Sequence, residues 1–458
     1  MAWGSSAPID MGELVAKAAT TGELAILPFR KLSDADWAAL AAALAASPAV
    51  TSLQATGRPI GPDGARALGR LLCAQPTTLR HLSLGDATFA DAGCLGALLD
   101  GMGPAGAPCT LDGLDLSLKG LSAGLSSELA ELLRRCPQLC ALDLSRNELG
   151  DAIASLRLPI LGATLTTLDL RSCGLTAGSL RALVGGGENQ LGDLRVLETL
   201  RLSRANLRDA TAAHLTPLLA HASLTTLHLE ECALQAQPLA DALAAAAPLT
   251  PLRELRLCGN DGLMGDEGGV ALATRLGAPP LTALGLGSTG FDDVAAEALV
   301  HAAHDSPHLA EVDAPSNELT ADGAAALLRL RGLSRLNLAG NRRLGDAGGA
   351  AIAAVIAEHV GRDPPMPLHS LDLGACAMEA PPTALSAALG GAGAPALRTL
   401  ELFGNGTQHA GAWRAVLAGL HDERPQIDVA WRAPAGGGGG GGGGGAIGGG
   451  DDDDDDVR

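Results

Sequence analysis

The sequence predicts an α/β solenoid, a horseshoe whose concave side is a parallel β-sheet and whose convex side is a row of helices. Three observations predict it. The pattern L-x-x-L-x-L-x-x-(N/C)-x-L begins at Val50, Leu79, Leu111, Leu139, Leu165, Leu197, Leu224, Leu252, Leu281, Leu309, Leu333, Leu368 and Leu397, at spacings of 24 to 35 residues that cluster at 28 and 29. Within a copy two leucines lie two apart, as Leu142 and Leu144 or Leu227 and Leu229 do. Both then face one side of a short strand, while Asp143 or His228 faces the other. The second half of a copy is Ala-rich with apolar residues at helical spacing, as in Ile352, Val355, Ile356 and Val360. Strands stack at about 4.8 Å and helices at about 10 Å, so an array that stacks like on like bends with its strands inside.

The elements follow in order. Asp10 with Glu13, Leu14, Val15 and Lys17 reads as a short helix covering the first repeat, and residues 1–21 are assigned as an N-terminal helical cap. Residues 22–431 form an array of about 14 repeats plus a capping strand at 427–431. Its degenerate first copy runs through Leu27 and Leu32 into a helical stretch at 36–44. Turns such as Leu149-Gly150-Asp151 and Leu344-Gly345-Asp346 open the convex segments. At the N/C position Asn147, Asn260, Asn317, Asn341 and Asn405 can donate and accept across successive turns, and Cys173, Cys232 and Cys376 take the same slot as small buried residues. Residues 432–458, polyglycine followed by six aspartates, have nothing to bury and are expected to form a disordered tail. Its removal from 436 onward is expected to leave thermal stability within about 1 °C.

Composition narrows the function. At 47% hydrophobic and 18% charged the chain can build a large core, so disorder is not its main state. Tyr is absent and the lysines are only Lys17, Lys31 and Lys119, which excludes chemistry built on Tyr acids or several lysines. Of the net charge of −19, the six tail aspartates less Arg458 account for five, leaving −14 on the body; such a surface repels a phosphate backbone, so no nucleic-acid partner is expected. No apolar run reaches the roughly 18 residues of a membrane span, and no membrane partner is expected. Nine cysteines, an odd number without CxxC spacing, suit a reducing compartment, and a soluble, cytoplasmic monomer is expected, with nucleus or cilium as other locations.

With the 28-to-29 period, the helical second halves and the Asn/Cys slot, the chain resembles the ribonuclease-inhibitor-like subclass of leucine-rich repeat proteins over residues 22–431. That class includes enzyme inhibitors, innate-immune sensor arms, Ran GTPase-activating proteins and ciliary scaffolds. The resemblance implies a non-enzymatic protein–protein interaction scaffold or regulator that binds a partner protein on its concave face. The alternative it offers is a GTPase-activating protein similar to the Ran-specific leucine-rich repeat family, with a small GTPase as partner. Here six Asp after polyglycine stand where that family has a long Glu-rich segment, and the family's functional Asn and Arg are assigned to no position of this chain.

Motifs that look catalytic dissolve into the repeat register. Gly120-Leu121-Ser122-Ala123-Gly124 matches a nucleophile elbow, yet Gly174-Leu175-Thr176-Ala177-Gly178 is the same turn in a later repeat. Gly285-Leu286-Gly287-Ser288-Thr289-Gly290 and the similar run at 101–106 match GxGxxG without the acidic residue that closes a dinucleotide-binding unit. No P-loop exists. His301, His304 and His308 with Asp305 fall at a helix C-terminus, where the dipole favours imidazolium and Pro307 takes His308 off the face. No catalytic residue, metal or cofactor is assigned.

Function is therefore sought on the concave sheet. Between the paired leucines stand Asp115, Asp143, Asp169, Arg201, His228 and Arg256; after them come Arg171 and Glu230, then Arg146, Arg204 and Glu231. These eleven charged or titratable positions are the predicted partner site, centred on Arg171, Arg201, Arg204, His228, Glu230 and Arg256. Gly285, Gly287 and Ala339 leave the later rows bare. Arg is suited to carboxylates and enriched at binding hot spots, and scarce aromatics point to a polar, electrostatically selected partner. Reversing Arg171, Arg201 and Arg204 to Glu is expected to weaken capture by at least roughly tenfold with little effect on stability.

Overall fold

The computed structural model describes residues 10–432 apart from 27–31, 56–58, 75–77, 91, 105–108, 185–190, 248–249, 266, 278, 305–307 and 392. The tail at 433–458, Leu27, Asp305 and Pro307 lie outside the described residues.

Fifteen strands form one sheet, each parallel to and paired with the next in sequence order. They are β1 (Glu23–Ile26), β2 (Ser52–Ala55), β3 (His81–Ser83), β4 (Gly113–Asp115), β5 (Ala141–Asp143), β6 (Thr167–Asp169), β7 (Thr199–Arg201), β8 (Thr226–His228), β9 (Glu254–Arg256), β10 (Ala283–Gly285), β11 (Glu311–Asp313), β12 (Arg335–Asn337), β13 (Ser370–Asp372), β14 (Thr399–Glu401) and β15 (Asp428–Ala430). In most of them the central leucine and the next one, two residues on, turn inward, as buried Leu142, Leu144, Leu227 and Leu229 do, while β11 presents Val312 and Ala314 there. The core is one continuous cluster between sheet and convex wall.

The first strand corrects the sequence register. Leu24 and Ile26 face the core from the first strand and align with Leu53 and Ala55 of β2, and Leu32 packs against that core after it. Ahead of it, the helix Met11–Ala18 is capped by Asp10, whose carboxylate accepts from Gly12 N and Glu13 N. The helix Asp34–Ala45 opens on a Ser33/Asp36 capping box.

The convex wall is helical in most repeats but not all. Between β5 and β6 the chain forms only 3₁₀ turns, Gly150–Ser155 and Leu158–Leu161. That repeat is 26 residues long, and Pro159 brings no amide hydrogen to an α-helical ladder. Among the described residues no helix is long and apolar enough to cross a membrane.

Candidate partner-binding face

Parallel pairing turns a sequence register into a surface. Asp115, Asp143, Asp169, Arg201, His228 and Arg256 are direct register partners from β4 to β9, so residues about thirty apart in sequence form one column. A second set stands on the rim, where each strand ends. There Arg146, Arg204 and Glu231 take left-handed backbone conformations, with φ of +58°, +65° and +53°. Such a φ disfavours side chains, and the structure over-determines it: each residue's N–H donates to the next repeat, to Arg171 O, Glu230 O and Cys258 O, all at 2.8 Å. The side chains are thereby held outward along the rim.

Ion pairing divides the site residues into fixed and free. Asp169 is buried, only 3% exposed, beneath Arg171, whose Nε lies 2.9 Å and Nη2 2.8 Å from its Oδ2. The expectation that reversing Arg171 leaves stability untouched is therefore corrected, since a Glu there would face a buried carboxylate. Arg201 stands 3.8 Å from Asp169. Arg204 makes a two-pronged pair with Glu231 at 3.0 and 3.2 Å. Arg146 is exposed, and among the described residues no carboxylate lies within ion-pairing distance of it. Arg256 is the most constrained, held by Glu254 at 2.8 Å, Glu311 at 2.7 Å and, further off, Asp313 at 3.7 Å.

The acidic part differs in character. Asp115 accepts from Ser83 and Ser117 hydroxyls, and Asp143 accepts from Ser145. Burial pushes the Asp143 carboxyl up, the Ser145 hydrogen bonds oppose it, and the neighbouring Asp169 and Asp115 push it further. A concave groove of about 530 Å³ opens over these carboxylates and Arg201. His228 stands within the charged rows. Burial, with Arg201 and Arg256 on either side, holds its imidazole below the usual range despite Glu230 and Glu254. Its Nε2 is buried, without a hydrogen-bond partner among the described residues, 3.5 Å from Glu254.

Sequence reasoning missed the column one residue before each strand leucine. Glu254 and Glu311 stand there and fix Arg256; period-two alternation places them on the same face as His228 and Asp313, which is the signal that finds them. Burial opposes ionisation of Glu254, but the Arg256 hydrogen bond and charge together with His228 outweigh it and keep the carboxyl below its usual range. Lys119 was also passed over. It occupies the Asn slot of its repeat, side chain 1% exposed, with Nζ on Ser117 O and 3.3 Å from Asp86. The later rows are not bare throughout: Asn337 donates to Asp313 at 2.7 Å, and Phe403 is exposed just after β14.

The motifs set aside as turns lie where the repeat puts them. Ser122 forms an isolated bridge with Glu148, and Thr176 forms the equivalent one with Asn206. Gly285 is packed so closely that a Cβ there would meet Arg256 Cδ at 2.7 Å. Cys173, Cys232 and Cys376 are buried in the Asn slot, their thiols pushed up to about 12 chiefly by burial.

A solenoid of parallel strands on a leucine core, presenting polar side chains from its concave sheet, is a leucine-rich repeat array. Consistent with this, a leucine-rich repeat family model matches residues 163–184, 249–273 and 332–353. The ribonuclease inhibitor of Sus scrofa is 34% identical over 257 residues, 55% of this chain and 54% of the relative. That of Mus musculus is 33% identical over 205 residues, 44% of this chain and 43% of the relative. The chain thus spans about half the length of the curated relatives it matches. Among solved structures, an internalin of Listeria monocytogenes aligns with a TM-score of 0.44 at 16% identity, covering 92% of this chain and 93% of that one. These matches support a leucine-rich repeat protein of the ribonuclease-inhibitor-like kind.

Proposed function

We propose that this protein is a non-enzymatic scaffold or regulator that captures a partner protein on its concave face, over the rows from β4 to β9. One observation carries the reading: Asp115 to Arg256 form an unbroken column of register partners in which acidic and basic groups are pre-positioned by Asp169, Glu254 and Glu311. Charges already ordered by the fold lose little conformational entropy on binding, which favours electrostatic selection of a partner. Nine cysteines, an odd number without CxxC spacing, support action in a reducing compartment such as the cytoplasm.

The curated relatives bear the name ribonuclease inhibitor, so a ribonuclease is the first probe, alongside affinity capture with the whole chain as bait. Arg146 and Arg204 are replaced together by Glu, sparing Arg171 and Arg201 because both stand against buried Asp169. The control replaces Arg181, Arg275 and Arg414 of the convex helices, all exposed. The concave variant should lose at least roughly tenfold in affinity with its melting temperature unchanged, and added salt should weaken the wild-type complex. Equal loss in the control, or normal binding by the concave variant, would refute the concave site.

A further inference from the structure

Along the rim runs a second groove of about 440 Å³ in which the charge changes sign. Arg146, Arg171 and Arg204 stand at its β5 to β7 end, and Glu230 and Glu231 at β8. Beyond them Gly259 and Gly287 form the floor, with Cys258, Ser288 and Pro315 beside them. A Cβ on Gly259 would meet Glu231 Cγ at 2.7 Å and one on Gly287 would meet Pro315 Cγ at 2.9 Å, so a side chain is disfavoured at these two positions.

Both charged ends retain unused hydrogen-bonding capacity. Arg146 faces no carboxylate among the described residues, and Arg171 turns only Nε and Nη2 to Asp169, leaving Nη1 to donate elsewhere. One Glu230 oxygen accepts from Ser203 Oγ at 3.1 Å, and no bond is recorded among the described residues for the other. The Arg204–Glu231 pair is 59% and 54% exposed, and such pairs exchange partners at little net cost. An incoming carboxylate and an incoming cation can therefore be received without breaking a buried contact.

Spacing selects the shape of what binds. Arg146 follows β5 and Glu230 follows β8, three strand intervals of about 4.8 Å, or about 14 Å. An extended chain covers that distance in four residues at about 3.4 Å each, and positions four apart share one face. Four residues of helix would cover only about 6 Å.

We infer that the groove holds an extended segment of the partner protein bearing an acidic residue and, four residues away, a basic one, the acid over Arg146 and the base over Glu230 and Glu231. The inference rests on the scaffold reading above and specifies the partner's contact segment. Beyond the base, the glycine floor admits the segment's backbone at close range.

The test uses the full chain and nine-residue Gly/Ser peptides, with binding followed by fluorescence anisotropy. One peptide carries Glu and Lys four apart; the others carry Glu and Lys seven apart, two Glu four apart, or two Lys four apart. The first should bind at least roughly fivefold tighter than each of the others. Arg146→Glu, on an exposed side chain, replaces the unpaired cation that receives the acid with a carboxylate and should shift the preference towards the two-Lys peptide at an unchanged melting temperature. The inference is overturned if the two-Lys peptide binds best to the wild-type chain, if spacing has no effect, if no peptide binds at millimolar concentration, or if Arg146→Glu leaves the order unchanged. A chain that still captures its protein partner through the concave face while showing no peptide preference would lose this inference alone.

Discussion

Asn147 shows what a single side chain does in a stack of repeats. Its Nδ2 donates to Leu116 O and Leu144 O, both at 2.8 Å, while Oδ1 accepts from Lys119 N at 3.1 Å and Leu121 N at 3.0 Å. Leu at this position would strand four buried backbone groups, each worth about 1 to 3 kcal/mol, so Asn147→Leu should cost at least about 3 kcal/mol in chemical denaturation. A loss under about 1 kcal/mol would mean that water or backbone relaxation replaces the ladder. Leu227→Ala should cost about 2 to 5 kcal/mol as a core truncation. Both roles were legible in the sequence because they recur at the repeat period. The burial of Asp169 was not, since it depends on how Arg171 folds over a neighbour two residues away. Nor was Lys119 as an Asn substitute, because its fit requires Asp86 from the preceding repeat.

At the scale of the strand, parallel in-register stacking puts like charges side by side. Asp115, Asp143 and Asp169 stand on β4, β5 and β6 as direct neighbours, a destabilising arrangement for ionised carboxylates. The Asp143 carboxyl is pushed up mainly by burial, with these neighbours adding to it. A carboxyl whose pKa is higher folded than unfolded holds its proton better in the folded chain. Its ionisation therefore penalises the fold at neutral pH, and the penalty fades as pH falls through the raised pKa. Asp143→Asn, which keeps the oxygen that accepts from Ser145 N, should raise the melting temperature at pH 7. That gain should vanish as pH is lowered towards about 4, the ordinary carboxylate range. A gain independent of pH would trace to packing instead. Glu131 behaves oppositely: Arg134 and Arg135 hold it at about 2, so its contribution is present above its unfolded pKa and lost in acid. The column was readable from the leucine register, whereas the 3₁₀ segments between β5 and β6 were not, because the repeat pattern fixes strands and leaves the convex path to local length and Pro159.

Over the whole molecule contacts run chiefly between neighbouring repeats, with the Arg256–Glu311 pair reaching across β10, so stability accumulates by repeat and interface, and the end of a stack is its weakest place. At the β15 end two indoles close the core. Trp413 is fully buried and stacks on Trp431 with ring centres 5.9 Å apart at 13°, and their N–H groups donate to Glu379 O and Asn405 O. Arg424 adds bonds to Leu389 O and Ala394 O. Trp431→Ala removes one stacked ring and the donor that holds the Asn405 carbonyl, and should cost on the order of 2 to 4 kcal/mol. Because coupling runs through neighbours, the loss should be local: hydrogen exchange should quicken in β13, β14 and the helix Ala410–Glu423 while β5 to β8, seven or more strands away, keep their protection. Partner binding at the concave rows should then survive a substitution that visibly frays the end. Uniform loss of protection from β5 to β14 would instead show that the array unfolds as one cooperative body, in which the end seal sets the stability of the binding face as well.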